Sequence, residues 1–257
     1  MSPLCVIVTR PRGQAEPWLE ALRTRGLQAQ ALPLIDIAPA PDATAVEQAW
    51  QRLASVDFVM FVSANAVEHF FALRSPGRAW PAGLLAGSTG QGTTAALQAC
   101  GVPPDHIAQP APGEPSESEA LWRQVAGRPW RGRQVLVVRG EDGRNWLAQQ
   151  FEQAGAVVEF LVAYQRRPPV LDEPSARLLA SALDDPQRHV WVFSSSEAVA
   201  HLQALSPQAD WSASRAVATH PRIAAAARLA GFAQVLEVSP EVEALVACCA
   251  HLEYLRC

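Results

Sequence analysis

Short apolar runs alternate with helical patterns along the whole chain. Val135-Leu136-Val137-Val138 is apolar at every position, the signature of a strand covered on both faces. The turn Arg139-Gly140-Glu141-Asp142-Gly143 follows. A helical period then places Leu147, Ala148, Phe151 and Ala154 on one face. Gly155 stands where a helix C-terminus needs a residue free to take positive φ. A second apolar run, Val157 to Tyr164, leads into Arg166-Arg167-Pro168. The unit is strand–turn–helix–strand. Its polar turn lies at the carboxyl end of its first strand, where open α/β sheets hold their ligands.

The same unit opens the protein, with Arg10 answering Arg139, Gly26 answering Gly155 and Pro39 answering Pro168. The pattern predicts a strand over 6–9, a helix over 14–25 with Ala15, Trp18, Leu19 and Leu22 on one face, and a strand over 29–37. Pro39 and Pro41 then mark a linker, because the residue before a proline is pushed towards extended geometry. A second unit has a helix over 45–53, a buried strand over 58–62 and the turn Ser63-Ala64-Asn65, where Ser63 or Asn65 caps the next helix. It recurs as Val190–Phe193 with Ser194-Ser195-Ser196. A third has a strand over 84–86, a glycine-rich turn and a helix over 94–100. It recurs as a strand over 216–218, the turn Thr219-His220-Pro221-Arg222 and a helix over 223–230. Residues 103–118 read as a proline-rich loop, with Ser118 capping the helix that holds Leu121 and Trp122. Pro168-Pro169 mark a second linker, before a helix over 174–183. A strand over 235–238 and a helix over 241–254 close the chain.

Three units repeated in the same order, at an offset of about 130 residues, specify two α/β domains. Two pairings satisfy the repeat. The chain divides near residue 125, or the first unit of each half joins the later units of the other half. The prolines after each first unit favour the second pairing, since they set two linker segments side by side.

Composition narrows the class. Hydrophobic residues are 49% of the chain and charged residues 18%, enough for well-buried cores. No apolar run reaches the roughly 18 residues that a membrane span needs. The N-terminus enters a strand with no export signal, so a cytoplasmic protein is expected. The cysteines Cys5, Cys100, Cys248, Cys249 and Cys257 show no CxxC spacing and read as reduced thiols rather than metal ligands. A net charge of −4 argues against nucleic-acid binding, though local arginines can still hold a small anion. The glycine-rich segment 87–93 lacks the lysine of a P-loop and the GxGxxG spacing of a dinucleotide site.

Several turns lead into helix N-termini, whose free N–H groups bind carboxylates at about 0.3–1 kcal/mol each when exposed. Ser63, Asn65, Thr93, Ser195 and Ser196 add side-chain donors there, whether or not they also cap the helices. Arg10, Arg139 and Arg222 sit at strand ends. Each can pair with a carboxylate, a charge-assisted bond being worth about 1.5–3 kcal/mol.

Taken together these motifs resemble uroporphyrinogen-III synthases. The matching segments are Val8-Thr9-Arg10-Pro11 with Gly13-Gln14, Phe61-Val62-Ser63-Ala64-Asn65-Ala66-Val67, and Arg139-Gly140 with Gly143-Arg144. Ala154-Gly155-Ala156-Val157, Tyr164 with Arg166-Arg167, Phe193-Ser194-Ser195 with Ala198-Val199, and His220-Pro221-Arg222-Ile223-Ala224 complete the match. Each segment alone is weak. Their order, spacing and duplication are specific and cover nearly the whole chain. The resemblance implies two similar flavodoxin-like, parallel-sheet α/β domains, residues 1–37 with 168–257 and residues 38–167, joined by a two-segment β linker with an interdomain cleft. It also implies closure of hydroxymethylbilane to uroporphyrinogen III with loss of water and inversion of ring D, through a spiro intermediate. No metal or organic cofactor, nucleic acid or membrane is implied. A monomer is expected, in transient contact with hydroxymethylbilane synthase.

That substrate is a flexible chain with eight carboxylates and a hydroxyl leaving group. Orientation is the larger task, since positioning contributes roughly 7–11 kcal/mol in favourable cases. The resemblance assigns Thr9, Arg10, Ser63, Ala64, Asn65, Thr93, Arg139, Gly140, Ser194, Ser195, Ser196, His220 and Arg222 to substrate binding. Tyr164 is the candidate catalytic acid: a phenol keeps its proton at neutral pH and can donate it to the departing hydroxyl. Arg166 and Arg167 are assigned to the linker, and His69 and His201 to packing or surface. His220-Pro221-Arg222 departs from the small or hydroxyl-bearing turn common in the family, with Pro221 and Arg222 standing where other members carry a threonine pair. The alternative function is a two-domain tetrapyrrole-binding or sensor protein that closes on an anion without turnover.

Overall fold

The computed structural model describes residues 3–114 and 117–254, with the side chains of 253 and 254 left out; Cys257 lies outside the described residues. The chain runs β1 (Cys5–Val8), α1 (Arg12–Thr24), β2 (Gln28–Ala31), β3 (Asp36–Pro39), α2 (Ala43–Gln51), β4 (Phe58–Phe61) and α3 (Ala64–Ala72). It continues through β5 (Leu85–Ser88), α4 (Gln91–Ala99), β6 (Ile107–Ala108), α5 (Ser118–Val125), β7 (Gln134–Gly140), α6 (Trp146–Gln153) and β8 (Val157–Arg167). Then come α7 (Glu173–Asp184), β9 (His189–Phe193), α8 (Ser196–Leu205), β10 (Arg215–Ala218), α9 (Pro221–Leu229), β11 (Gln234–Glu237) and α10 (Val242–Tyr254).

Two compact units form. One holds Met1–Asp36 and Arg167–Cys257, the other Ile37–Arg166, so the chain passes between them twice. The first unit contains a five-stranded sheet in the order β11-β10-β9-β1-β2, parallel at every pairing. Counted along the unit, this is the flavodoxin-like order. The sheet of the second unit runs β3-β8-β7-β4-β5-β6. Its pairings β8-β7, β7-β4, β4-β5 and β5-β6 are parallel. Apart from the added edge strand β3, it has the same order as the first sheet once β7 is read as its starting strand. The duplication seen in the sequence is therefore a duplication of sheets, with β1 beside β9 and β7 beside β4.

The cores follow from the apolar runs. Phe58, Val59, Met60 and Phe61 are all buried, as a strand covered by helices on both faces requires. On one face Trp50 stacks on Phe70 at 4.7 Å and meets Phe71 and Trp80 edge-on, while its indole N–H donates to Phe70 O at 2.8 Å. On the other, Phe58 packs against Trp130 and Phe151. In the first unit Val6, Val8, Val190 and Val192 pack with Trp18, Leu19 and Leu22 of α1 and with Leu245 and Val246 of α10. Each such side chain contributes about 1.5–3 kcal/mol on full burial.

Two local expectations change. The strand foreseen over 29–37 stops at Ala31 and resumes as β3, because Pro33 lacks an N–H for the ladder. The proline-bearing linker segment at Pro39 is extended, as a β linker requires: it lies along the edge of β8, where a proline is tolerated, and Gln165 Nε2 donates to Pro39 O at 3.2 Å. Ser118 opens α5 rather than capping it; Glu117 holds the cap position and makes no side-chain capping bond. Gly155 does end its helix, with φ at 88°.

Candidate functional site

The two units place their polar residues in the same local frame, at the carboxyl ends of the strands. In the second unit β4 ends at Phe61 and Ser63 caps α3, its hydroxyl oxygen accepting from Ala66 N at 3.2 Å. Ser63, not Asn65, makes this cap. The same hydroxyl donates to the Tyr164 phenol oxygen at 3.3 Å. That polarity leaves the phenol's own hydrogen without a partner among the described residues. The Tyr164 ring is 4% exposed and lies nearly parallel to the His69 ring, with centroids 6.0 Å apart and planes 25° apart. Burial holds the His69 imidazole pKa below its ordinary value, against the pull of Glu68.

Tyr164 lines a recess of about 270 Å³ together with Ser63, Thr89, Arg139, Asp142, Gly143, Arg144 and Arg166; Met60, Val62, Val137, Leu147 and Ala148 supply its apolar wall. A small pocket with an apolar floor and a few convergent polar groups is the usual form of a ligand site. Arg139 comes to it at the end of β7, but its guanidinium largely organises its own turn. Nε donates to Gly140 O at 3.2 Å, one Nη to Asn145 Oδ1 at 2.5 Å and the other to Gly143 O at 3.1 Å. Its plane lies over Phe160 at 5.2 Å. Arg144 pairs with Glu119 and lies over Trp146. Arg166, assigned to the linker from sequence, lines the recess two residues beyond Tyr164 on the same strand. The period of two along a strand was the signal that could have found it. Thr89 and Asp142 carried no signal apart from their turns. Ala64 and Asn65 open α3, Asn65 buried. Thr93 is buried in the first turn of α4, and neither it nor Asn65 lines the recess.

The first unit repeats this frame without a tyrosine. Thr9 is buried and its hydroxyl donates to Val192 O at 2.7 Å, tying β1 to β9, so this side chain is structural rather than a ligand donor. Arg10 is half-buried over the Trp18 ring at 4.5 Å, and one Nη donates to Gln14 Oε1 at 3.0 Å. Its Nε is buried with no partner among the described residues, and burial pulls its pKa down. Ser195 caps α8 by accepting from Glu197 N at 3.2 Å, between half-buried Ser194 and Ser196. The Ser196 hydroxyl is buried with no partner among the described residues. His220 caps α9, its Nδ1 accepting from Arg222 N at 3.1 Å, so the imidazole takes the capping role a hydroxyl often fills. Arg222 is exposed beside it. His201 joins α8 to the segment after β2, its Nδ1 lying 2.6 Å from Leu34 O.

Among the described residues, no group of three His, Cys, Asp or Glu is placed to hold a metal ion, and no helix is long and apolar enough to cross a membrane. Fold and site together define a class: a duplicated, flavodoxin-like α/β protein whose serines, arginines and one tyrosine gather at the ends of parallel strands.

Comparison with known proteins gives the family. The model of uroporphyrinogen-III synthase HemD matches residues 16–247. The chain is 30% identical over 164 residues to the uroporphyrinogen-III synthase of Proteus mirabilis, covering 63% of this chain and 80% of that protein. It is 29% identical over 221 residues to the synthase of Synechococcus elongatus, covering 81% and 78%. Its fold matches a mutant uroporphyrinogen III synthase from Thermus thermophilus at a TM-score of 0.59, with 17% identity over 97% of this chain and 98% of that one. The Helicobacter pylori uroporphyrinogen-III synthetase matches at 0.57, with 14% identity over 97% and 99%. The chain belongs to the uroporphyrinogen-III synthase family.

Proposed function

We propose that the protein closes hydroxymethylbilane to uroporphyrinogen III, with loss of water and inversion of ring D, and that Tyr164 supplies the proton. The observation that carries the role of Tyr164 is its phenol, which accepts from Ser63 and keeps its own hydrogen, on a residue that lines an apolar-walled recess. The pyrrole nitrogen pushes electrons towards the terminal carbon and the C–O bond breaks. The phenol protonates the departing hydroxyl, which leaves as water. Ring D then attacks through its substituted carbon to give a spiro intermediate; the bond from that carbon to the methylene of ring C breaks, and the methylene recloses on the free α-carbon of ring D, which inverts the ring and leaves that carbon a proton to lose. The proton released when the pyrroles regain aromaticity returns to the phenolate, so the cycle closes with no redox step.

The remaining groups bind rather than react. Helix starts at Ser63 and Ala64, and at Ser195 and Ser196, offer N–H groups to carboxylates. Arg10 has an uncommitted, buried Nε to offer another. Arg139 and Gly140 act chiefly by shaping the turn beside Tyr164, and Arg222 stands exposed for a carboxylate. The reading extends to domains at residues 1–37 with 168–257 and at 38–167, and to a monomer acting in the cytoplasm in transient contact with hydroxymethylbilane synthase.

Incubation of fresh hydroxymethylbilane with the purified protein, then oxidation and chromatographic separation of the uroporphyrin isomers, tests the proposal. Dominant type III product is expected. Type I alone, the isomer that forms without an enzyme, would leave the protein as a tetrapyrrole binder.

A further inference from the structure

The pairing of β7 with β8 is regular from Gln134 opposite Val157 to Arg139 opposite Val162. It then slips, so that Gly140 stands opposite Tyr164 instead of Ala163. Along an unbroken strand consecutive side chains point to opposite faces, and one extra residue re-aims whatever follows it. The effect is visible in the core: Ala163 and Tyr164, neighbours in sequence, both join the cluster that holds Leu161, Val67 and Phe70. A regular strand would have sent Tyr164 to the face of Phe160 and Val162.

Gly140 lies directly against the re-aimed ring. A Cβ at this position would stand 3.0 Å from Tyr164 Cζ, 3.1 Å from Cε2 and 3.3 Å from the phenol oxygen. Gly140 is not among the glycines with positive φ, so its backbone accepts an L side chain without strain. The Tyr164 ring is therefore what excludes a side chain here. Ser63 fixes the phenol's oxygen, and His69 lies beside the ring.

We infer that Gly140 is a positioning residue: its bare backbone, opposite the slip in β8, sets where the Tyr164 phenol stands relative to Ser63 and the recess. This rests on Tyr164 being the proton donor proposed above. A methyl group at Gly140 would displace the ring by a few tenths of an ångström. A displacement of 1 Å can cost about 100-fold in rate, so a loss of roughly 3–10-fold in kcat is expected, with KM little changed.

The chain has two tyrosines, so carbon-13 tyrosine labelling gives a Tyr164 ring signal that is assigned by its disappearance in Tyr164→Phe. In Gly140→Ala that signal should move. Tyr164→Phe should then cost less rate in the Gly140→Ala background than in the wild type, by about the factor that Gly140→Ala costs alone. An unmoved ring signal, or an equal cost of Tyr164→Phe in both backgrounds, overturns the inference. Thermal unfolding gives a reading independent of turnover. Gly140→Ala should lower the midpoint when the ring is present and not in a Tyr164→Leu background; equal lowering in both also overturns it. A wild type that makes no type III product would instead sink the proton-donor reading, and the NMR and unfolding comparisons would still decide whether Gly140 sets the ring.

Discussion

Replacing Ser63 by alanine removes two interactions made by one oxygen: the cap on Ala66 N and the hydrogen bond to the Tyr164 phenol. Loss of a serine cap typically costs about 1 kcal/mol. The bond to Tyr164 is long at 3.3 Å, so its share lies at the low end of the usual net value, about 0.5 kcal/mol. Ser63→Ala should therefore destabilise the protein by about 1.5 kcal/mol. In a Tyr164→Phe background only the cap remains to be lost, and the cost should fall to about 1 kcal/mol. Ser195→Ala provides an internal reference, since Ser195 caps its helix in the duplicated frame with no tyrosine attached. Urea unfolding followed by circular dichroism measures all three costs, each transition fitted separately if the two units unfold apart. Costs of Ser63→Ala that agree within about 0.3 kcal/mol with and without the phenol would refute the Ser63–Tyr164 bond as an energetic contact.

Other perturbations follow from the same geometry. Arg10→Lys keeps the charge but loses the planar fork stacked on Trp18; KM should rise about 10-fold with kcat nearly unchanged, and steady-state kinetics with an unaltered KM would contradict it. Arg139→Ala removes the donors to Gly140, Gly143 and Asn145, so segment 140–145 should become more susceptible to limited proteolysis as KM rises. The His69 pKa is held below its ordinary 6.5 by burial, so the unfolded chain takes up a proton first as pH falls. Its contribution to stability is complete above pH 6.5 and is lost as pH drops through the lower folded value. His69→Phe, which keeps a ring beside Tyr164, should flatten thermal stability between pH 7 and 5.

The strands and helices were legible because the central apolar runs are buried on both faces and the helices show an apolar stripe. Phe58–Phe61 and Val190–Phe193 needed nothing more. The break at Pro33 was legible in principle and was overridden by the apolar Leu34-Ile35 beyond it. The slip in β8 was not: Leu161, Val162 and Ala163 are all apolar, so the period of two that would expose a change of phase is silent there. Residue type placed Arg139 at a strand end. It did not show that three acceptors of its own turn would occupy its nitrogens, because acceptors such as the carbonyls of Gly140 and Gly143 depend on backbone path. Tyr164 was found through resemblance and its place at the end of an apolar run. Its partners Ser63 and His69, about 100 residues away in sequence, meet it only through the pairing of β8, β7 and β4.

Single-turnover ring closure by Tyr164→Phe, measured beside its affinity for the uroporphyrinogen product, tests the role of the phenol most directly. If the phenol protonates the leaving hydroxyl, closure slows by roughly 100-fold or more while product affinity stays within about twofold. Closure at the wild-type rate, or a loss of affinity that matches the loss of rate, would remove Tyr164 from the chemistry.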